Sequence, residues 1–367
     1  MNGRERREGL IRIGEANVSG GGNVPRLRAK RLEWTACAVL LSLHTVLLAW
    51  GAYRHSPVID EWGHLPAGLM HWREGRYDAY RVNPPLVRMV ATLPLLGWAP
   101  DTTWRVPSAS GSYRPEVIAG AYFFMIYGPA SFGLFTLARL ACIPFSWIGA
   151  YVCYRWAGDL YGRSAAMVAM TLWCVSPNVL AYSQTILPDA PAAALGLAAH
   201  YAFWKWLRQP AWSRTILAGL LLGLSLLTKT TWILLLALWP VVWLAARWTR
   251  RRDAAPFVRE SIRFAAILVI ATCVVNAMFE FQGSFTRLGD YQFVSKALRG
   301  PEGSTQKAYE GVVGNRFAGT LLGACPLPFP RDYVLGIDRQ KLDFEGGMWS
   351  YLRGEWRLGG WWYYYPE

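Results

Sequence analysis

Charge is scarce in this chain. Of its 367 residues only 17% are Asp, Glu, Lys or Arg, the acidic residues number 24 against 38 basic ones, and histidine occurs five times. A water-soluble enzyme of this length carries nearer a quarter of charged residues, so soluble classes are disfavoured from the outset. The cysteines offer no framework either. All six (Cys37, Cys142, Cys153, Cys174, Cys273, Cys325) stand without C-x-x-C or C-x-C spacing, and all but Cys325 lie in apolar blocks, so neither a disulfide scaffold nor a zinc knuckle is implied. There is no internal repeat, and the one low-complexity stretch is the Gly-rich N-terminus.

What fills the chain instead is apolar surface: 53% of residues are hydrophobic and 14% aromatic. A net charge of +14 would suggest nucleic acid if it formed one face of a soluble domain. Here the apolar residues gather in blocks of about 20, the length that crosses a ~30 Å hydrocarbon layer as helix. The basic excess is therefore read as membrane orientation, with the bilayer and not nucleic acid as the partner.

The expected fold is all-α and polytopic, with about seven spans: roughly 34–53, 134–156, 164–182, 190–207, 215–228, 231–247 and 263–280. Residues 1–32, polar and with eight Lys or Arg, form a basic cytoplasmic tail; no small-residue cleavage site follows the first block, so it reads as an uncleaved span. The short loops 155–163, 205–214 and 247–263 hold two, three and six Lys or Arg, which places them in the cytoplasm. Residues 54–130, the Ser183–Asp189 turn and the segment 281–367 then fall on the extracytoplasmic face. The first outer loop is expected to carry two interfacial helices. One follows Asp60 with Leu65, Leu69 and Trp72 on a face, and one lies in LVRMVATLPLLGWAP (86–100), too short and Pro-broken to span.

An ionisable residue at the membrane edge is costly unless function or a partner retains it. Four such places share the outer face: Asp60, Glu61 and His64 in SPVIDEWGHLPAG, Arg81, Asn83 and Arg88 around RVNPPL, Asp189 in TILPDAP, and Lys229 in LLTKTTW. Each also has a plainer reading. Asp60 and Asp189 are placed to cap the helices that follow them, Lys229 to snorkel, and Asn83 to make a turn before Pro-Pro. Asp60, His64 and His71 could coordinate a metal, though their spacing matches no known ligand pattern.

Taken together, residues 56–86 (SPVIDEWGHLPAG, then NPPL) and 176–231 (SPNVLAYSQTILPDAPAAA, then GLLLGLSLLTKTT) resemble the membrane glycosyltransferases of the GT-C class. The resemblance is to the superfamily of protein O-mannosyltransferases and aminoarabinose transferases in particular. Two later segments, FEFQGSFTRLGDYQF and SYLRGEWRLGGWWYYY, look like bacterial members, so the resemblance runs over about residues 34–365. It implies an enzyme of the bacterial inner (cytoplasmic) membrane that moves a sugar from a polyprenyl phosphate to an acceptor hydroxyl on the extracytoplasmic side. Asp60 would be the catalytic base and Glu61 its acidic neighbour. Asp189 would be a second acid near the acceptor or a metal, and Lys229 a contact to the donor phosphate. The donor is a substrate and no cofactor is certain; a divalent metal is an open option, with His64 and Asp189 its candidates. Such chemistry asks for little, because the donor is already activated: one group to take the hydroxyl proton and one or two cations for the departing phosphate.

Two departures from that family are visible. Its members place Lys or His before Pro-Pro, where this chain has the uncharged Asn83, leaving Arg81 or Arg88 to supply charge. Relatives also continue into further spans where this chain ends in YYYPE, so a C-terminally truncated product is expected. The alternatives are a transporter or flippase of lipid-linked sugars, and an inactive truncated scaffold. Transporters commonly show repeat halves and midplane sites, which the one-sided polar groups here do not match.

Overall fold

The computed structural model describes residues 23–98, 106–109, 113–249, 256–301, 306–307 and 312–364. Most of the basic tail, residues 250–255 of the third basic loop and Tyr365 of the terminal aromatic run lie outside the described residues. Helices dominate, as expected. In chain order they are α1 (Asn23–Arg54), α2 (Ile59–Glu74), α3 (Leu86–Thr92), α4 (Pro115–Tyr127), α5 (Ser131–Tyr161), α6 (Arg163–Val175) and α7 (Pro177–Ser183). They continue with α8 (Asp189–Arg208), α9 (Trp212–Leu226), α10 (Leu235–Thr249), α11 (Phe257–Met278), the single turn α12 (Lys296–Arg299) and α13 (Arg331–Glu345). Two small antiparallel pairs complete the described chain: β1 (Gln306–Lys307) with β2 (Val312–Val313), and β3 (Trp349–Leu352) with β4 (Glu355–Leu358).

Four stretches are long and apolar enough to cross a bilayer: Lys30–Arg54, Pro115–Tyr161, Thr230–Thr249 and Phe257–Met278. A fifth is the pair α6 and α7, bent by 56° where Pro177 lacks an N–H to continue the ladder. The two remaining expected spans, α8 and α9, do not meet that standard. At 15 residues α9 reaches only about 22 Å. The 20 residues of α8 are long enough, but they are Ala-rich and include His200, Lys205 and Arg208.

The first outer loop differs from its expectation in two ways. Pro115–Tyr127 is an apolar helix that runs through a 3₁₀ turn (Gly128–Ala130) straight into α5, so the 47-residue stretch belongs to the bundle. The two supposed interfacial helices are packed inside the protein. In α2, Gly63 to His71 are all buried, and in α3 every residue but Val90 is. Small residues allow this: a Cβ on Gly63 would stand 3.0 Å from Glu116 of α4, and one on Gly68 would stand 2.5 Å from the Arg88 carbonyl oxygen.

The same device closes the bundle. On α9, Gly219 and Gly223 form a small-x-x-x-small face, and Cβ atoms there would lie 2.8 Å from Ile270 and 2.6 Å from Val274 on α11. Beside this crossing, Phe203 stacks on Trp239 with centroids 4.1 Å apart and Trp243 on Phe264 at 4.9 Å, joining α8, α10 and α11. The α6–α7 break is satisfied from α1. His44 Nδ1 donates to the Cys174 carbonyl (2.8 Å), which fixes its tautomer and lets Nε2 accept from the Ser146 hydroxyl (2.9 Å).

The described residues after Glu280 pack on the end of the bundle that carries the first loop. Their anchor is α13, where Gly336 brings the helix so close to the loop that a Cβ would meet the Arg81 carbonyl oxygen at 2.2 Å. The sequence reading sees only turns here; the signal for α13 is Pro330 ahead of an acidic first turn at Asp332, with Tyr333, Leu335 and Gly336 on the buried side.

Candidate active site

The two neighbouring carboxylates at the start of α2 live in opposite environments. Glu61 is fully buried, and Arg139 of α5, 1% exposed, grips it with two bonds: Nε to Oε1 at 2.8 Å and Nη2 to Oε2 at 2.5 Å. Oε2 also accepts from the Val58 N–H and Oε1 from the Ile186 N–H, each at 2.9 Å. Arg139 spends its other donors on the carbonyls of Ala52, His55 and Ser56. Glu61 is thus a structural clasp that ties α1, α2, α5 and the Ser183–Asp189 turn together, and no lone pair is left over for chemistry. Arg139 is the residue the sequence reading misses, although an arginine within the apolar block 134–156 is the kind of charge a membrane protein retains for a reason.

Asp60 is exposed and makes no hydrogen bond or ion pair among the described residues. It is not the N-cap of α2. That position belongs to Val58, and the capping interaction comes from Glu61 reaching back to the Val58 N–H. Asp60 therefore sits in the first turn, where the helix dipole favours a negative charge. Its apolar neighbours Val58, Ile59 and Trp62 are all exposed, Ile59 by 73%. Asp60 is thus a carboxylate that stands open to a bound group, beside exposed apolar side chains.

The Ile186 bond brings the acidic pair beside the turn that ends at Asp189. Asp189 is the first residue of α8, its cap being Pro188, and its Oδ1 lies 2.8 Å from Lys229 Nζ. The side chains remain 41% and 31% exposed, so this ion pair stands open to a third polar group. Lys229 itself is extended backbone at the corner after α9, and the preceding Leu227 carbonyl accepts from the N–H of Leu86 at 3.3 Å. The Pro84–Pro85–Leu86 loop is thereby fixed next to the Lys229 corner.

The remaining expected residues divide. Arg88 is buried and committed to that loop: it donates to the Tyr80 carbonyl (2.7 Å), to the Asn83 and Pro84 carbonyls and to His71 Nε2 (3.1 Å), and it covers the Tyr80 ring at 4.4 Å. Burial pushes its guanidinium down to about 10. It shapes the Pro-Pro turn and is not placed to meet a lipid phosphate. Asn83 is half-buried and contributes a carbonyl. Arg81 is partly exposed, ion-paired with Asp332 of α13 at 2.7 Å. His64 is buried, with its ring stacked 4.5 Å from Tyr80 and neither ring nitrogen hydrogen-bonded. Burial, then the charge of Arg88, holds both His64 and His71 well below the usual histidine range. Among the described residues no three His, Cys, Asp or Glu side chains come together to hold a metal ion, so His64 and Asp189 are not joined in one.

A helical membrane bundle that gathers an unpaired carboxylate and an open Lys–Asp pair beside one clasped turn invites comparison with known families. Residues 121–279 match the dolichyl-phosphate-mannose-protein mannosyltransferase family. This is a family of membrane glycosyltransferases of GT-C type, as the motifs anticipate. No curated protein matches the chain. The mannosyltransferase-like segment contains Arg139, Asp189 and Lys229, while Asp60 and Glu61 precede it. The bonds of Glu61 to Arg139 and to the Ile186 N–H therefore fasten the acidic pair to the matched segment.

Proposed function

We propose that this chain transfers a sugar from a polyprenyl-phosphate donor to an acceptor hydroxyl on the extracytoplasmic face of a bacterial inner membrane. Asp60 is the general base. The observation that carries this reading is the division of labour in the acidic pair, where Glu61 is saturated by Arg139 and backbone amides and Asp60 beside it has no protein partner. The acceptor oxygen bonds to the anomeric carbon as the bond from that carbon to the phosphate oxygen breaks. The electron pair leaves with the phosphate, and the acceptor proton passes to Asp60. One displacement of this kind inverts the anomeric configuration. Lys229 meets the departing phosphate, and Asp189, 2.8 Å away, orients it. The exposed Val58, Ile59 and Trp62 offer the lipid part of the donor an apolar approach. In this reading α8 and α9 complete seven spans by lying inside the bundle, where their small residues are covered by protein instead of lipid.

The test is transfer from radiolabelled polyprenyl-phosphate hexoses in membranes. Asp60→Asn keeps the shape and removes the base, so it should lower transfer by ~10²-fold or more with unchanged thermal unfolding. Lys229→Met should raise the donor KM. Near-normal transfer in both variants would remove these roles.

A further inference from the structure

The helix pair α8 and α9 has a cationic corner at the end away from the Asp189–Lys229 pair. At helical rise the 20 residues of α8 carry the chain about 30 Å from Asp189 to Arg208, and α9 starts back from Trp212. Lys205, Arg208, Gln209 and Arg214 line an open pocket of about 280 Å³ at this turn. No candidate residue of the transfer step belongs to it. Its cations are anchored, where surface arginines are ordinarily mobile in water. Arg214 Nη1 donates to the carbonyls of Lys205 (3.0 Å) and Gln209 (3.3 Å) at the end of α8, while its Nε and Nη2 make no hydrogen bond among the described residues. The Arg208 guanidinium lies over the Trp204 ring at 4.9 Å, and Arg263 of α11 braces the turn by donating to the Pro210 carbonyl at 2.5 Å.

One carboxylate answers these charges. Asp159 of α5 accepts from Lys205 Nζ and from the Tyr201 hydroxyl, each at 2.6 Å. Arg208, Arg214 and Arg263 have no carboxylate partner among the described residues, so the corner holds guanidinium groups that repel one another and lack an anion. A guanidinium fork matches the oxygens of a phosphate, which makes arginine the usual residue for that group. The same end of α9 supplies an apolar track. Trp212, Ile216 and Leu220, at i, i+4 and i+8, are all exposed, while Thr215, Ala218, Gly219 and Leu222 turn the other face into the bundle. The track begins beside the pocket and follows α9 away from it.

We infer that this pocket binds the phosphate of an anionic membrane lipid, whose acyl chains lie along Trp212, Ile216 and Leu220. Basic pockets between helices at the membrane edge take headgroups of this kind. A free phosphate shares the chemistry of the headgroup but makes no use of the apolar track. A choline or ethanolamine headgroup brings an ammonium that needs a carboxylate or an open aromatic face. Here Asp159 is taken by Lys205 and Tyr201, and Arg208 lies over Trp204. The site is separate from the transfer step and does not rest on the transferase reading.

The test uses the full chain in detergent micelles and counts bound lipid by native mass spectrometry as dioleoylphosphatidylglycerol or dioleoylphosphatidylcholine is titrated in. The first phosphatidylglycerol should bind about tenfold or more tightly than the first phosphatidylcholine, the worth of one charged hydrogen bond. Arg208→Gln, at an exposed position, should remove most of that preference, and Arg208→Gln with Arg214→Gln should remove all of it. The charge-matched pair Arg287→Gln with Arg357→Gln, exposed and outside the pocket, should keep it. Equal affinities in wild type, or a preference that survives the double change, overturns the site. Should the double variant fail to fold, Arg208→Gln alone decides, and an undiminished preference there overturns it too. Excess inorganic phosphate at constant ionic strength should leave the phosphatidylglycerol bound; its displacement would make this a free-phosphate pocket and overturn the lipid.

Discussion

At the residue scale, two carboxylates one position apart are expected to fail differently when neutralised. Glu61→Gln leaves the Arg139 guanidinium buried without a counter-ion, a change that costs about 3–5 kcal/mol in buried pairs. Thermal unfolding followed by tryptophan fluorescence should drop markedly for Glu61→Gln, whereas Asp60→Asn should unfold like wild type. Adding Arg139→Gln to Glu61→Gln should recover part of the loss, because the stranded charge goes too. Equal unfolding of the two single variants would refute the clasp. The buried histidines give a pH dependence. His71 Nδ1 donates to the Arg76 carbonyl (2.7 Å) and Nε2 accepts from Arg88, so a second ring proton would point at a guanidinium. Its folded value, and that of His64, lies below the unfolded one. The unfolded chain then binds more protons as pH falls below about 6.5, and stability present above that pH is lost below it. Protection factors in α2 and α3, the exchange rates corrected for the intrinsic rate at each pH, should fall from pH 7 to pH 5, and constant protection across that range would count against the burial of these rings.

At the scale of elements, the α9–α11 crossing is the place where one side chain decides. Gly223→Leu inserts carbon where Val274 already stands at 2.6 Å, and overpacking of this kind costs about 1–3 kcal/mol or more. Gly133→Leu, with nothing within 4 Å, is the control. A lower unfolding temperature and aggregation in detergent are expected for the first and not the second; parity between them would mean the crossing is slack. The GLLLG spacing is visible in the sequence, as are the apolar cores of α1, α10 and α11, because each depends on local composition; that α1 begins at Asn23, inside the expected basic tail, is not. What composition does not show is whether an element that looks amphipathic meets lipid or protein. Leu65, Leu69 and Trp72 suggest a helix lying on a membrane, yet Gly63 and Gly68 let α3 and α4 close over it, and that contact is between segments far apart in sequence. Arg88 shows the same limit. Its charge invites a ligand, and its burial among the carbonyls of Tyr80, Asn83 and Pro84 emerges only from the folded turn. Asp60, Asp189 and Lys229 stand out one by one in the sequence as polar residues at the ends of apolar blocks. The pairing of Asp189 with Lys229 was not, being made across 40 residues.

For the whole molecule, the proposed orientation puts Asp60, the Lys229 corner and residues 281–364 outside, and the α8–α9 corner with Lys205, Arg208 and Arg214 inside. In a background with Cys273 and Cys325 changed to Ser, Ile59→Cys and Leu321→Cys, 73% and 97% exposed in the native residues, should react with an impermeant maleimide added to intact cells. Arg208→Cys should react only after the membrane is opened. The reverse pattern would place the acidic pair in the cytoplasm and end the proposed reaction.

The clasp between Glu61 and Arg139 also sets an order of events during synthesis. The two residues are 78 positions apart, and at ~5–20 residues per second the ribosome needs roughly 4–16 s to pass from one to the other. For that interval Glu61 has no guanidinium to bury it, and Ile186, its backbone donor, is made later still. The start of α2 therefore cannot be fastened when it is first made. It waits, without its buried partner, until α5 is in place, so the first part of the candidate site to be made is among the last to be finished.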